Sequence, residues 1–178
     1  FFTPGMRSRL ALLTPNTLRR ARRVFALTQA IAEEISEVYG TPLDRIDVVS
    51  PAVDPVFSPN HANSEIEAAR HRYHLPEQFV LYTGALQPRK NLTRLATAFS
   101  RLVKKGLPHT LVIAGRRAWL HKGMLEDIER LNLGDRIHFT GYVEQDDLPC
   151  IYAAASAFVY VSIYEGFGLP VLEALATG

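Results

Sequence analysis

Four short runs rich in β-branched and aromatic residues constrain this chain most, because the first three stop at a glycine and a glycine pair follows the fourth. Phe79-Val80-Leu81-Tyr82-Thr83 ends at Gly84, Thr110-Leu111-Val112-Ile113-Ala114 at Gly115, and Ile137-His138-Phe139-Thr140 at Gly141. Ala157-Phe158-Val159-Tyr160-Val161-Ser162 runs toward Glu165-Gly166-Phe167-Gly168. The first two runs are nearly all apolar, as strands covered on both faces must be. Amphipathic stretches separate them. Leu92, Leu95, Ala96, Phe99, Leu102 and Val103 fall on one helical face before Gly106, and Met124, Leu125, Ile128 and Leu131 mark another. Strand–helix alternation of this kind predicts an α/β fold with a parallel sheet and helices on both faces.

A similar but shorter series precedes it. Val24-Phe25-Ala26-Leu27-Thr28 reads as a strand, and Ala30, Ile31, Glu34, Ile35 and Val38 as a helical face stopped by Gly40. Ile46-Asp47-Val48-Val49 reads as a second strand. Pro51, Pro55 and Pro59 with Asn60 and Asn63 then suggest a linker. The expected division is residues 1–56, the end of one domain plus linker, and residues 57–178, a second domain.

Composition excludes several classes. Of 178 residues, 47% are hydrophobic and 21% charged, a globular mixture and not a disordered one. No apolar run reaches the ~18–20 residues of a membrane span. The opening Phe1-Phe2-Thr3-Pro4 lacks a signal-peptide pattern. A single cysteine, Cys150, excludes an internal disulfide and a multi-cysteine zinc site, and is expected to behave as a small buried hydrophobe. Net charge is +2, yet residues 1–32 hold six arginines (7, 9, 19, 20, 22 and 23) and no acid. The remainder carries 14 basic against 18 acidic residues. A solvated or domain-contacting helix accounts for the basic segment most simply; contact with an anionic surface is the alternative.

In open α/β sheets, ligands bind beyond the carboxyl ends of the strands, so the strand-end glycines could rim one site. Within the run Glu165-Gly166-Phe167-Gly168-Leu169-Pro170-Val171-Leu172-Glu173-Ala174, Pro170 suits the first position of a helix. The glycines before it would offer backbone N–H groups to an anion at that helix's positive end. The spacing lacks the third glycine of the dinucleotide fingerprint. Glu165 and Glu173 would repel phosphate but accept sugar hydroxyls. Glu173 is expected in the first turn of the helix, near a ribose; an acid that merely complements the helix dipole is the competing explanation. Upstream, Arg89 and Lys90 stand before a helix beginning near Leu92, a placement that opposes the dipole unless an anion lies between.

Residues 79–178 resemble the nucleotide-sugar domain of group 1 retaining glycosyltransferases, enzymes with two Rossmann-like domains in the GT-B arrangement. The family's two glutamates lie eight positions apart, matched by Glu165 and Glu173 in EGFGLPVLEA. Gly84, Arg89, Lys90 and Asn91 match its basic motif, with Gln87 where the family has an acid, and Phe139-Thr140-Gly141-Tyr142-Val143 matches the base-contacting segment. Residues 23–54 are more weakly similar to the end of the family's first domain.

The resemblance implies that Arg89 and Lys90 hold the donor diphosphate and that Gly84 lets it approach. It implies that Gly166, Phe167, Gly168 and Leu169 present backbone, that Glu165 binds the donor sugar and Glu173 the ribose, and that Tyr142 and Val143 lie against the base. It implies hexose transfer with retention and without a divalent metal or other cofactor. The donor is a nucleoside-diphosphate sugar, with GDP-mannose favoured over a UDP-sugar, and the acceptor a glycan or lipid-linked glycan. No nucleic-acid partner is expected. The expected location is the cytoplasm, with peripheral membrane contact as an open alternative. Because the acceptor domain is largely missing from these 178 residues, they are expected not to catalyse transfer alone. A non-catalytic nucleotide-sugar-binding module is the main alternative. A glycoside hydrolase with Glu165 and Glu173 as its pair, set ~5–9.5 Å apart, is the third, and it leaves Arg89 and Lys90 unexplained.

The remaining polar residues suggest structural roles. His138 is expected to be a satisfied core histidine, and Asp146 and Asp147 favourable acids at a helix start. His61, His71, His74, His109 and His121 show no ligand spacing. Trp119, after Arg116 and Arg117, suits a cleft rim or a surface anchor.

Overall fold

The computed structural model describes residues 3–116 and 122–178. Arg117, Trp119 and His121 therefore lie outside the described residues, as do Phe1 and Phe2. The chain divides into two compact units, one of Phe1–Ala52 with Glu165–Gly168 and one of Val53–Tyr164 with Leu169–Gly178.

In the first unit, helix α1 (Pro4–Arg20) carries Arg19 and Arg20 in its last turn, where cations suit the dipole, and buries none of its residues. Strands β1 (Val24–Ala26) and β2 (Ile46–Val48) pair in parallel, and helix α2 (Gln29–Tyr39) joins them. The Thr28 hydroxyl accepts from the Ile31 N–H at the start of α2, and Gly40, at φ +65°, ends it as the sequence predicts. Ala26, Ala32 and Ile46 form the small core, with Ile31 and Ile35 packed on it, whereas Val38 projects to solvent. The Arg23 guanidinium pairs with both Asp47 carboxylate oxygens, and Arg45 donates to the Ala21 carbonyl, tying the ends of this βαβ unit together.

The second unit holds a four-stranded parallel sheet in the order β5-β4-β3-β6, with β3 Phe79–Thr83, β4 Thr110–Ala114, β5 Ile137–Gly141 and β6 Ala157–Phe158. Side chains alternate across a strand, and both faces of β3 and β4 are covered. Phe79, Leu81, Val112 and Ala114 pack in one core with Ala69 of α3 (Asn63–Arg72) and with Cys150, Ile151 and Tyr152 of α6 (Leu148–Ala154). Tyr82, Leu111 and Ile113 pack in the other with Leu92, Leu95, Ala96 and Phe99 of α4 (Leu92–Lys104) and Met124 and Ile128 of α5 (Lys122–Glu129). Helix α7 (Leu169–Thr177) closes the order.

Three differences from the sequence reading have physical causes. Asn63 opens α3 instead of continuing a linker; Glu65 accepts from the Ala62 N–H at 3.0 Å and so caps the helix. The fourth run yields only the two residues of β6. Beyond the bond from Val159 N–H to the Leu81 carbonyl (2.8 Å), its backbone turns to the loop after β3: Asn91 donates to the Val161 carbonyl and Ile163 to the Arg89 carbonyl. On α4, Leu102 is exposed, whereas Val103 packs against the core as expected.

The β3 and β4 ends meet closely. A β-carbon on Gly115 would lie 2.0 Å from the Gly84 carbonyl oxygen, a separation that backbone on both sides prevents from relaxing cheaply. Gly115→Ala is therefore expected to lower stability by about 2–4 kcal/mol, read from denaturant midpoints. Gly123→Ala, whose β-carbon meets nothing within 4 Å, is expected to leave stability unchanged or raise it by up to about 1 kcal/mol.

Candidate functional site

Parallel strands aim their carboxyl ends the same way, so the loops after β3, β4 and β5 share one edge of the second unit. Gly84 leaves β3 at φ +137°, a conformation that side chains resist. Its N–H donates to the Ala114 carbonyl (2.9 Å), and Gly115 donates to the Gly141 carbonyl (2.8 Å), linking the three strand ends. Between them lies a cleft of about 190 Å³ lined by Thr83, Gly84, Ala114 to Arg116, Tyr142 and Val143. Thus Gly84, Tyr142 and Val143 come together, with Gly141 at φ +75° turning the chain into the pair. Tyr142 is 62% exposed, leaving its ring accessible for stacking.

The loop after Val143 is clamped from α3. The Tyr73 hydroxyl accepts from the Glu144 N–H (3.1 Å) and donates to Asp147 (2.7 Å), and Arg72 pairs with the same carboxylate oxygen (2.6 Å). Asp147 occupies the N-cap position of α6, as expected, but its side chain makes no cap bond because Arg72 and Tyr73 hold it. His138 Nε2 lies 2.8 Å from the Tyr73 carbonyl, an acceptor only, so that nitrogen carries hydrogen and the half-buried ring is satisfied there.

Arg89 and Lys90 sit on a single 3-10 turn, Pro88–Lys90, and Asn91 at φ +63° leads into α4 at Leu92. Arg89 donates to Gln87 Oε1 (3.3 Å) and to the Tyr164 carbonyl (3.2 Å). Lys90 is only 8% exposed. Its ammonium lies 5.7 Å from the centroid of the Tyr160 ring, a cation–π distance, and a β-carbon on Gly84 would fall 3.7 Å from its Cε. The structure therefore brings a buried cation beside the strand-end glycine.

Leu169 is the first residue of α7 and Pro170 the second, one position later than expected. Glu173 is consequently in the second turn, and the first turn contains no acid. A dipole contact is thus not what places it. Its Oε2 accepts from the Tyr152 hydroxyl at 2.8 Å, and burial raises its pKa above the ordinary carboxylate range while that bond opposes the rise. Glu165–Gly168 group with the first unit, where a β-carbon on Gly166 would lie 3.7 Å from Leu27. Gly168 takes φ +107° just before α7.

Two features escaped the sequence reading. Tyr152 links Glu173 to Thr83, and only its position four residues into a short apolar helix hinted at burial. His61, Glu65 and Cys150 do converge, with one ligand atom each within 4.8 Å of the others. The Glu65 carboxylate caps α3 through Ala62, and burial pushes the Cys150 thiol up. Cys150 is buried as expected.

Comparison with known proteins agrees with this architecture. The chain is 34% identical over 164 residues to the O-antigen chain mannosyltransferase B of Escherichia coli, covering 91% of this chain and 43% of that one. It is 34% identical over 166 residues to the serotype-specific mannosyltransferase WbdA of Escherichia coli, covering 89% of this chain and 20% of that one. The crystal structure of Anabaena HepE in complex with UDP and glucose superposes with a TM-score of 0.78 at 22% identity, over 96% of this chain and 46% of that one. The chain thus spans less than half the length of these relatives, and the shared architecture is that of GT-B glycosyltransferases. Residues 63–178 match the family model for glycosyl transferases group 1, and the chain belongs to that family.

Proposed function

We propose that the protein moves a hexose from a nucleoside-diphosphate sugar to a glycan or lipid-linked acceptor with retention of configuration. GDP-mannose is favoured as donor, a reading supported by the mannosyltransferase relatives. The observation that carries the proposal is Lys90, an ammonium buried beside Gly84 at the carboxyl edge of a parallel sheet. A cation held at that edge gives an incoming diphosphate a charge-assisted contact.

Breaking the glycosyl–phosphate bond leaves negative charge on the diphosphate and positive character on the sugar. Arg89 and Lys90 stabilise the former, which makes a divalent metal dispensable. Glu173 accepts from the ribose, Tyr142 and Val143 lie against the base, and Gly84, Asn91, Gly141 and Leu169 shape the loops that admit the donor. Glu165, with the backbone of Gly166, Phe167 and Gly168, takes the donor sugar. A polypeptide limited to these 178 residues binds donor without transferring it, since it spans under half of its relatives' length.

Peripheral contact with anionic lipid belongs to the same proposal. Helix α1 exposes Leu12 and Leu13 alongside Arg9, Arg19 and Arg20, although no described helix is long and apolar enough to cross a membrane.

Incubating the intact enzyme with GDP-mannose and acceptor is expected to give an α-configured product by NMR, at a rate EDTA leaves unchanged. Lys90→Met is expected to lower kcat/KM by about 10²–10³-fold and to weaken GDP without weakening guanosine. Unchanged transfer in that variant would contradict the role given to Lys90, whereas nucleotide-sugar binding without any transfer by the intact parent would leave the non-catalytic binding module as the better reading.

The pKa of Glu173 gives a second prediction. Its folded value lies above its unfolded one, so the group adds stability as pH falls through the folded value and withdraws it as pH rises. Glu173→Gln is expected to hold or raise the melting temperature at pH 7 while weakening nucleoside-diphosphate binding about tenfold. It is also expected to abolish the loss of affinity expected of the parent as falling pH protonates Glu173. Cosedimentation tests the lipid contact: phosphatidylglycerol vesicles should pellet the protein at low salt and release it at high salt, and salt-insensitive pelleting would contradict it.

A further inference from the structure

We infer that Tyr152 is a positioning residue for the nucleotide, holding one oxygen of Glu173 through a hydroxyl relay from Thr83 so that the other is left to accept from the ribose. The inference rests on the proposed ribose role of Glu173.

The relay follows from counting protons. The Tyr152 oxygen lies 2.7 Å from Thr83 Oγ1, 2.8 Å from Glu173 Oε2 and 3.3 Å from the Pro170 carbonyl oxygen. Carboxylate and carbonyl oxygens only accept, and a phenol has one hydrogen to give. The shorter contact, to the charged partner, takes it. Thr83 must then donate to Tyr152, so the order is Thr83 to Tyr152 to Glu173. Burial and the nearby carboxylate both raise the Tyr152 pKa, which keeps the phenol protonated as the relay requires.

The ring cannot easily swing away. Tyr152 is 6% exposed, with Phe57 edge-on at 5.8 Å and Phe158 tilted at 5.3 Å between centroids. Its hydroxyl therefore holds a fixed point between three elements: β3 through Thr83, α6 through its own backbone, and α7 through Glu173. Thr83 immediately precedes Gly84, so the same relay joins the ribose acceptor to the loop that admits the diphosphate. Where Glu173 Oε2 is engaged, Oε1 is the oxygen for a hydroxyl donor.

A tyrosine that only fills the core would affect every nucleotide alike, and the test uses that difference. Affinities are measured by calorimetry for whichever of GDP and UDP binds tighter, and for its 2′,3′-dideoxy counterpart. Tyr152→Phe is expected to weaken the diphosphate about three- to tenfold and leave the dideoxy compound unchanged. Glu173→Gln should show the same selectivity, and the double variant should be no weaker than Glu173→Gln alone. Thr83→Val, which leaves the ring in place, should give a smaller loss with the same selectivity and serves if Tyr152→Phe folds poorly. Equal weakening of both compounds, or of neither, in Tyr152→Phe beside a selective Glu173→Gln overturns the relay. A Glu173→Gln variant without selectivity overturns the ribose reading itself, and the relay with it.

Discussion

The backbone contact between Gly115 and Gly84 governs the geometry of the second unit. A carbonyl oxygen 2.0 Å from where a β-carbon would stand admits no side chain at residue 115, and it lets the ends of β3 and β4 close on each other. From that contact the Gly84 loop takes its positive φ, the cleft beside Tyr142 takes its walls, and the 3-10 turn carrying Arg89 and Lys90 takes its place next to the strand end. The extensive burial of β3 and β4 on both faces makes this edge rigid. Catalytic groups that must meet a diphosphate within hydrogen-bond distance gain from such a foundation.

Charge placement follows the same logic. Arginine and lysine ahead of a helix are unfavourable partners for its positive end. In the proposed function these two cations meet the donor diphosphate. The carboxylate side of the site is handled differently, because Glu173 is held by a neutral phenol instead of a cation. In the proposed function, that choice keeps the carboxylate an acceptor for hydroxyls and leaves the positive charge to the diphosphate.

How far the residues alone reveal this differs from element to element. Strands β3 and β4 are legible because both faces are buried, so their composition is almost wholly apolar, and Gly84 and Gly115 punctuate them. The fourth run is misleading for the opposite reason. Its β-branched and aromatic residues read as a full strand, but Val161 and Ile163 give their backbone bonds to the Arg89–Asn91 loop, a tertiary choice that no local pattern encodes. Helix α3 is hidden because its first turn carries asparagine and serine, residues that favour turns as much as helix starts, and its sequence has little apolar periodicity. In the candidate site, the glycines and the two cations stand out through their spacing, whereas Tyr152 does not. Its partners Thr83 and Glu173 are 69 and 21 residues away, and only the packing of α6 against the sheet brings them together.

The most direct test is the crystal structure of the protein soaked with a nucleoside diphosphate. The diphosphate should lie within hydrogen-bond distance, about 3 Å, of Arg89 and Lys90, with the ribose on Glu173. A nucleotide bound elsewhere, with both cations turned away from it, would contradict the account.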